Sequence, residues 1–314
     1  MPRLLVGSSL RKITERVPGL QQLLWGTEAL LMAISMAISS LLPPDRASAA
    51  GRRLIRAIGP RLDKTHKLRL NLKLAFPEKS DAEIEALIGE NWGNIGAVLA
   101  EYPHLRTLAY ATSPRRIEIV TLGESRVFRE HGRPAVFVAA HLSNWELPPL
   151  AGVMRGLQLS VVYSPFQNPW LNRMLYRMRE RLGYTLVSRD GGMRVLLREL
   201  ARGRSIGLIV DQRVDSGEPV PFFGMDMLTT VTPARLALRY DCELIPVRVQ
   251  RLGGARFRVT FYPPITPPDN TADDQEKALA MTGELNTLFE QWITEQPNEW
   301  LCTKRRWPKH VGRS

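Results

Sequence analysis

Between residues 116 and 262 the chain alternates short apolar, β-branched runs with longer stretches of helical periodicity, and no other feature restricts its fold as much. The runs are RIEIV, AVFVAA, LSVVYS, YTLVS, SIGLIVD, LIPVRVQ and FRVTFY; NPWLNRMLYRMRERLG and MRVLLRELARG are helical stretches among them. Strands that alternate with helices pair in parallel, because each crossover returns the chain to the same end of the sheet. The expected fold class is therefore α/β, a mostly parallel central sheet flanked by helices. Ligands of such sheets collect beyond the carboxyl ends of the strands. His141 follows AVFVAA and Asp211 follows SIGLIV, so both stand at strand ends and can share one crevice.

The stretch AAHLSNWELPP, residues 139–149, places a His, an Asn and a Glu where an apolar strand ends and a proline-marked helix begins. On a continuous helix, residues five apart such as His141 and Glu146 would point about 140° apart. A turn instead lets Glu146 fold back on the imidazole and fix its tautomer, which makes a general base. Ser143 and Asn144 are helix-capping types, and the N–H groups beside them can hold an anion or a developing oxyanion. The bland alternative is a surface turn with a capping Asn and an incidental His. No G-x-S-x-G elbow and no plausible catalytic Cys accompanies the pair, so a covalent acyl-enzyme is not indicated. The base would activate a substrate hydroxyl, which attacks an acyl thioester while the imidazolium returns its proton to the departing thiolate. A metal site is not expected, since H-x-x-x-x-E lacks the i, i+4 His pair of a zinc helix and the other histidines are scattered.

The net charge of +12 calls for an anionic partner: nucleic acid, a phospholipid surface or an acidic protein. Arg supplies 35 of the 43 basic residues, and its planar fork matches phosphate oxygens. Two widely spaced cysteines, Cys242 and Cys302, give neither a zinc set nor a disulfide framework and fit a reducing compartment. Residues 23–42, LLWGTEALLMAISMAISSLL, are nearly continuous in apolar and small residues except for Glu28. That is roughly the 20 residues of a bilayer span. A tilted span, an interfacial helix and a buried hairpin all satisfy the pattern, and membrane attachment is favoured; the basic flanks and late start argue against a cleaved signal peptide. The basic stretch 50–73 suits a helix with one face on protein and another on anionic head groups. Ser80, followed by Asp81 and Glu83, caps a helix expected over 81–102.

At this point the residues meet a known family. HLSNWE resembles the H-x-x-N-W-E form of the motif of bacterial lipid A late acyltransferases, within the lysophospholipid acyltransferase superfamily. RLNLKLAFPEKSDAEIEAL (69–87), YSPFQNPWLNRMLYRMRERLG (163–183), DQRVDSGEPVPFFG (211–224) and EWLCTKRRWP (299–308) are similar to further family blocks, in family order. The resemblance implies a glycerol-3-phosphate acyltransferase-like fold with an N-terminal membrane-associated helix. It also implies transfer of a fatty acyl chain from acyl carrier protein or coenzyme A to a hydroxyl of a membrane glycolipid, a lipid A precursor above all. His141 matches the family's base and Glu146 its relay acid; Asn144, Arg179, Asp211, Gln212, Phe223 and Gly224 match substrate-binding positions. Arg179 would hold a substrate phosphate, Asp211 and Gln212 would bind substrate hydroxyls or position Arg179, and Phe223 with Gly224 would form an apolar wall with close backbone approach. The implied location is the inner membrane with the catalytic domain on the cytoplasmic face. No cofactor is implied beyond the thioester co-substrate.

The pattern departs at Ser164, where many members carry Arg, and at Cys302-Thr303-Lys304 before the paired arginines; both leave the acceptor open. A phosphatidylinositol mannoside or a lysophospholipid is the alternative acceptor. A nucleic-acid module is disfavoured, because no recognition motif is present and the apolar stretch would have no use. A noncatalytic lipid scaffold would not require the His-Glu pair. The expected organisation is an anchoring segment over 1–48 and a catalytic domain over 49–314.

Overall fold

In the computed structural model, which describes residues 19–308 except 114, 131–132 and 270–272, the apolar runs become strands. They are β1 (Ile117–Thr121), β2 (Ala135–Ala139), β3 (Leu159–Tyr163), β4 (Thr185–Ser188), β5 (Ser205–Ile209), β8 (Glu243–Gly253) and β9 (Arg256–Phe261). Between β5 and β8 lies a hairpin of β6 (Glu218–Phe222) and β7 (Met225–Thr229). Its two prolines, Pro219 and Pro221, disguise β6 in the sequence and restrict it to a small separate sheet. The main sheet has the order β1-β9-β8-β2-β5-β3-β4. Every pair in it is parallel except β8 with β9. That pair reverses at Gly253 and Gly254, both at positive φ, and so tight a connection can join only antiparallel neighbours.

Among the described residues ten α-helices surround the sheet: α1 (Leu20–Ser40), α2 (Pro44–Ile58), α3 (Thr65–Ala75), α4 (Asp81–Glu101), α5 (Leu105–Tyr110), α6 (Leu147–Met154), α7 (Pro169–Glu180), α8 (Gly192–Ala201), α9 (Thr232–Arg239) and α10 (Asp274–Glu295). α4 starts on the N-cap expected at Ser80, which the structure extends to a capping box: its hydroxyl accepts from Glu83 N–H while the Glu83 carboxylate accepts from Ser80 N–H. The basic stretch 50–73 is two helices, broken at Gly59-Pro60 because proline cannot continue a helix interior. α2 lies so close on α4 that a Cβ on Gly51 or Gly96 would collide with backbone. The boundary expected at 48/49 falls inside α2, so a helix, not a linker, joins the apolar segment to the body. Of that segment, residues 1–18 lie outside the described residues.

β2 is buried along its whole length and parts two cores. Val136 and Val138 face one core with Leu72, Ile84, Leu196 and Phe289, while Ala135 and Phe137 face the other with Val98, Leu108, Leu150 and Leu171. This period of two with both faces covered is what an α/β sheet requires. α1 belongs to the second core through Met32 and Met36. It is the one helix, among the described residues, long and apolar enough to cross a membrane.

Candidate active site

Register builds the site. Ala139 of β2 pairs with Ile209 of β5, so residues two beyond each strand end, His141 and Asp211, emerge side by side. Asp211 Oδ1 lies 2.6 Å from His141 Nδ1. A carboxylate only accepts, so Nδ1 carries the hydrogen and Nε2 is left as the basic nitrogen. Asp211 is 1% exposed and His141 19%, so the acid is shielded while the imidazole reaches solvent. The second Asp211 oxygen accepts from Trp300 Nε1 at 3.0 Å. Burial by itself would raise the Asp211 pKa, but the imidazole's charge and hydrogen bond, with the Trp300 bond, outweigh it and hold the carboxyl below its usual range. The Gln212 amide nitrogen lies 3.4 Å from both ring nitrogens, across the imidazole.

The partner of His141 is thus Asp211 and not Glu146, which corrects the expected assignment. Glu146 points the other way, into a buried cluster. Arg179 Nε and Nη2 donate to its two oxygens at 2.9 and 2.5 Å, Tyr102 O–H donates to Oε1, and Arg179 Nη2 also donates to the Tyr102 oxygen at 2.6 Å. Burial opposes the Glu146 charge, yet the Arg179 guanidinium and the Tyr102 hydroxyl lower its pKa. Burial pushes the Tyr102 hydroxyl well up. Arg179 thus spends Nε and Nη2 on Glu146 and Tyr102 within the chain. The physical reason is α7: Leu171, Leu175 and Arg179 recur every four residues on its inward face, and the last of them meets the turn.

Asn144 is fully buried, and its side chain is spent on the protein. Its Nδ2 donates to Glu101 at 2.8 Å and its Oδ1 accepts from Glu146 N–H at 3.1 Å. Glu101 in turn holds Ser48 and Arg251, which ties the turn to α2, α4 and β8. The N–H of Ser143 goes to Glu299 O, that of Leu147 to Asn144 O, so these donors, with that of Glu146, are not free for an oxyanion. Ser143 holds φ at 51°, a left-handed conformation that costs a non-Gly residue about 1 kcal/mol or more and that the surrounding bonds sustain. Asn94 Nδ2 donates to Ser143 O at 3.0 Å.

The C-terminal strap completes the frame. Leu142 and Trp300 form an antiparallel bridge, and Leu301 N–H donates to His141 O at 2.8 Å. Phe223 and Gly224, at φ 50° and 70°, are the two central residues of the β6–β7 turn. Positive φ at both is what a two-residue hairpin needs. Phe223 stacks on Trp300 with centroids 6.3 Å apart and so backs the indole that holds Asp211. A Cβ on Gly224 would meet nothing within 4 Å, so its glycine answers to the turn, not to a close approach within the chain. Arg306 turns inward, to Leu228 O and Thr229 Oγ1, and its burial lowers its pKa to about 10. Lys304 and Arg306 both interact electrostatically with Asp211, with Arg189 adding positive charge beside Lys304 and Arg213 beside Arg306. The described residues hold no group of three or more His, Cys, Asp or Glu suited to a metal.

Sequence reasoning placed His141 and Asp211 in one crevice but did not pair them, and it missed Tyr102, Glu101 and Asn94. Trp300 sits inside a block already singled out, so a signal for it existed; Tyr102 carries none.

A family model described as bacterial lipid A biosynthesis acyltransferase matches residues 19–309. The chain is 26% identical over 300 residues to the lipid A biosynthesis myristoyltransferase of Escherichia coli K12, covering 90% of this chain and 91% of that one. It is 25% identical over 290 residues to the phosphatidylinositol mannoside acyltransferase of Mycolicibacterium smegmatis, covering 84% and 91%. Among solved structures, the 1-acyl-sn-glycerophosphate acyltransferase of Thermotoga maritima aligns with a TM-score of 0.36 and 12% identity over 78% of this chain and 99% of that chain.

Proposed function

The chain belongs to the bacterial lipid A biosynthesis acyltransferase family, and from that premise we propose a specific reaction, with His141 as its general base and Asp211 as the group that positions it. The family makes it an O-acyltransferase acting on a glycolipid. The acyl chain comes from a thioester of acyl carrier protein or coenzyme A and goes to a hydroxyl of a lipid A precursor. The inner membrane holds the enzyme with its catalytic body on the cytoplasmic face, where such thioesters are made.

His141 Nε2 takes the proton of the acceptor hydroxyl as its oxygen bonds to the thioester carbonyl carbon. Asp211 keeps the imidazole in the Nε2-basic tautomer and stabilises the imidazolium that forms. The tetrahedral intermediate collapses with cleavage of the C–S bond, and the imidazolium protonates the leaving thiolate. Ester and thiol are released, and the base is restored. Lys304, Arg189 and Arg213 meet the anionic groups of the substrates beside the crevice.

The observation that carries this reading is the 2.6 Å contact between a shielded Asp211 and a solvent-reaching His141 at two adjacent strand ends. The test is an acyl-transfer assay with labelled acyl carrier protein or acyl-coenzyme A, offered with a tetra-acylated lipid A precursor, a phosphatidylinositol mannoside and a lysophospholipid panel. Transfer to the lipid A precursor that is lost in His141→Ala supports the reading. The mycobacterial relatives, named for phosphatidylinositol mannoside, make that lipid the second acceptor to watch; transfer confined to it would keep the chemistry and overturn the acceptor.

A further inference from the structure

α1 passes the length test for a membrane span, yet its two long faces are unequal. Leu23, Leu30, Leu31, Ile34 and Ile38, with Leu41 just past the helix end, are exposed, and all fall within about 100° around the helix axis, which makes one continuous stripe. The opposite face is fastened to the body from end to end. Asn168 Nδ2 donates to Trp25 O and to buried Glu28, Met32 and Met36 pack into the second core, and the His104 ring meets Ser39 O at 2.9 Å. From Trp25 to Ser39 is about 21 Å of helix at 1.5 Å per residue. Were α1 to cross a bilayer, Glu28, Asn168 and His104 would be drawn into the hydrocarbon with it, where each polar group costs several kcal/mol.

A second observation identifies what covers the exposed stripe. Trp170, 51% exposed, rests its ring on Gly26 at the flank of α1. From Trp170 the outer face of α7 runs on through Arg173, Met174, Arg177 and Met178 to Arg181, which together line a shallow groove. The three arginines are exposed, and none of them forms an ion pair with another of the described residues. An apolar stripe, a Trp at its border and a row of arginines beyond reproduce the depth profile of a bilayer surface from acyl chain to phosphate.

We infer that α1 lies along the face of an anionic phospholipid bilayer and does not cross it, with Arg173, Arg177 and Arg181 of α7 on the lipid phosphates. The chain is then attached to one leaflet, and both ends of α1 are on one side of the membrane. The inference rests on the reading of the chain as an enzyme of membrane lipids, but its test does not depend on turnover.

The full-length protein is floated with vesicles of phosphatidylcholine alone and of phosphatidylcholine mixed with phosphatidylglycerol. Binding is expected to favour the anionic vesicles and to weaken with salt. An exposed basic residue near such a surface is worth about 1 kcal/mol, so Arg173→Gln/Arg177→Gln is expected to cut partitioning about 30-fold while melting as wild type does. In the second arm, Gln22→Cys and Ser40→Cys are treated in cells and in inverted membrane vesicles with a membrane-impermeant maleimide, the unsubstituted protein setting the background of Cys242 and Cys302. Labelling of both positions from the cytoplasmic side alone supports the inference; labelling of one from each side overturns it. Unchanged vesicle binding in the Arg variant, with a raised KM for acyl carrier protein, would assign the arginine face to an acidic protein and overturn that half. Same-side labelling in a protein that transfers no acyl chain would sustain this inference and sink the proposed reaction.

Discussion

Asp211 and Glu146 are both buried carboxylates, and they do different work. Asp211 is bonded to the imidazole and Glu146 to a guanidinium. Asp211→Asn keeps the shape but offers an amide that can donate to Nδ1 and favour the wrong tautomer. We expect kcat to fall about 10²- to 10⁴-fold with KM little changed, measured by steady-state acyl transfer, while the melting temperature stays near that of wild type. Glu146→Ala instead strands Arg179 in a buried site, and breaking such a pair costs about 3–5 kcal/mol. Chemical denaturation should show that loss, and its absence would return Glu146 to consideration as the relay. Trp300→Phe removes the donor to Asp211 Oδ2; a hydrogen bond to a charged group is worth about 1.5–3 kcal/mol, and the activity of this variant should fall between those of wild type and Asp211→Asn.

At the scale of elements, the strands and long helices were readable because each carries a local signal. β2 is a short apolar run, and α4 opens on a capping box. The pairing of His141 with Asp211 was only half readable. Strand ends place both residues in one crevice, but the contact depends on the adjacency and register of β2 and β5, which lie 70 residues apart in sequence. Glu146, five residues from His141, was the tempting partner; its true one, Arg179, is set by the inward face of α7. Both carboxylates have pKa values below the usual range. Carboxylates lowered in the fold add stability that is fully present above their unfolded values, about pH 4, and is lost as pH falls through the folded values. Denaturation midpoints should therefore hold from neutral pH to about pH 5 and decline below about pH 4. In Glu146→Gln, which has one fewer such group, the acid decline should be shallower.

Across the whole molecule, the site is a junction of distant segments. The turn after β2 is held by the strap at 299–301, by Asn94 and Glu101 of α4, and through Glu101 by Arg251 of β8 and Ser48 of α2. None of these partners was visible in the motif itself, since bonds between segments far apart in sequence leave no local pattern. The fold class and the long apolar helix were legible; which face of α1 packs on the body was not, because that is set by contacts with α7 and the segment at 104. Removing the strap by ending the chain at residue 298 should abolish turnover and expose Asp211, even where the sheet persists by circular dichroism. The most direct test of the central claim is acyl transfer to a tetra-acylated lipid A precursor by wild type, His141→Ala and Asp211→Asn in parallel, with melting curves for each. Transfer by wild type, none by His141→Ala and a loss of about 10²-fold or more in folded Asp211→Asn is the predicted result. Undiminished transfer by either folded variant would contradict the assignment of the His141–Asp211 pair.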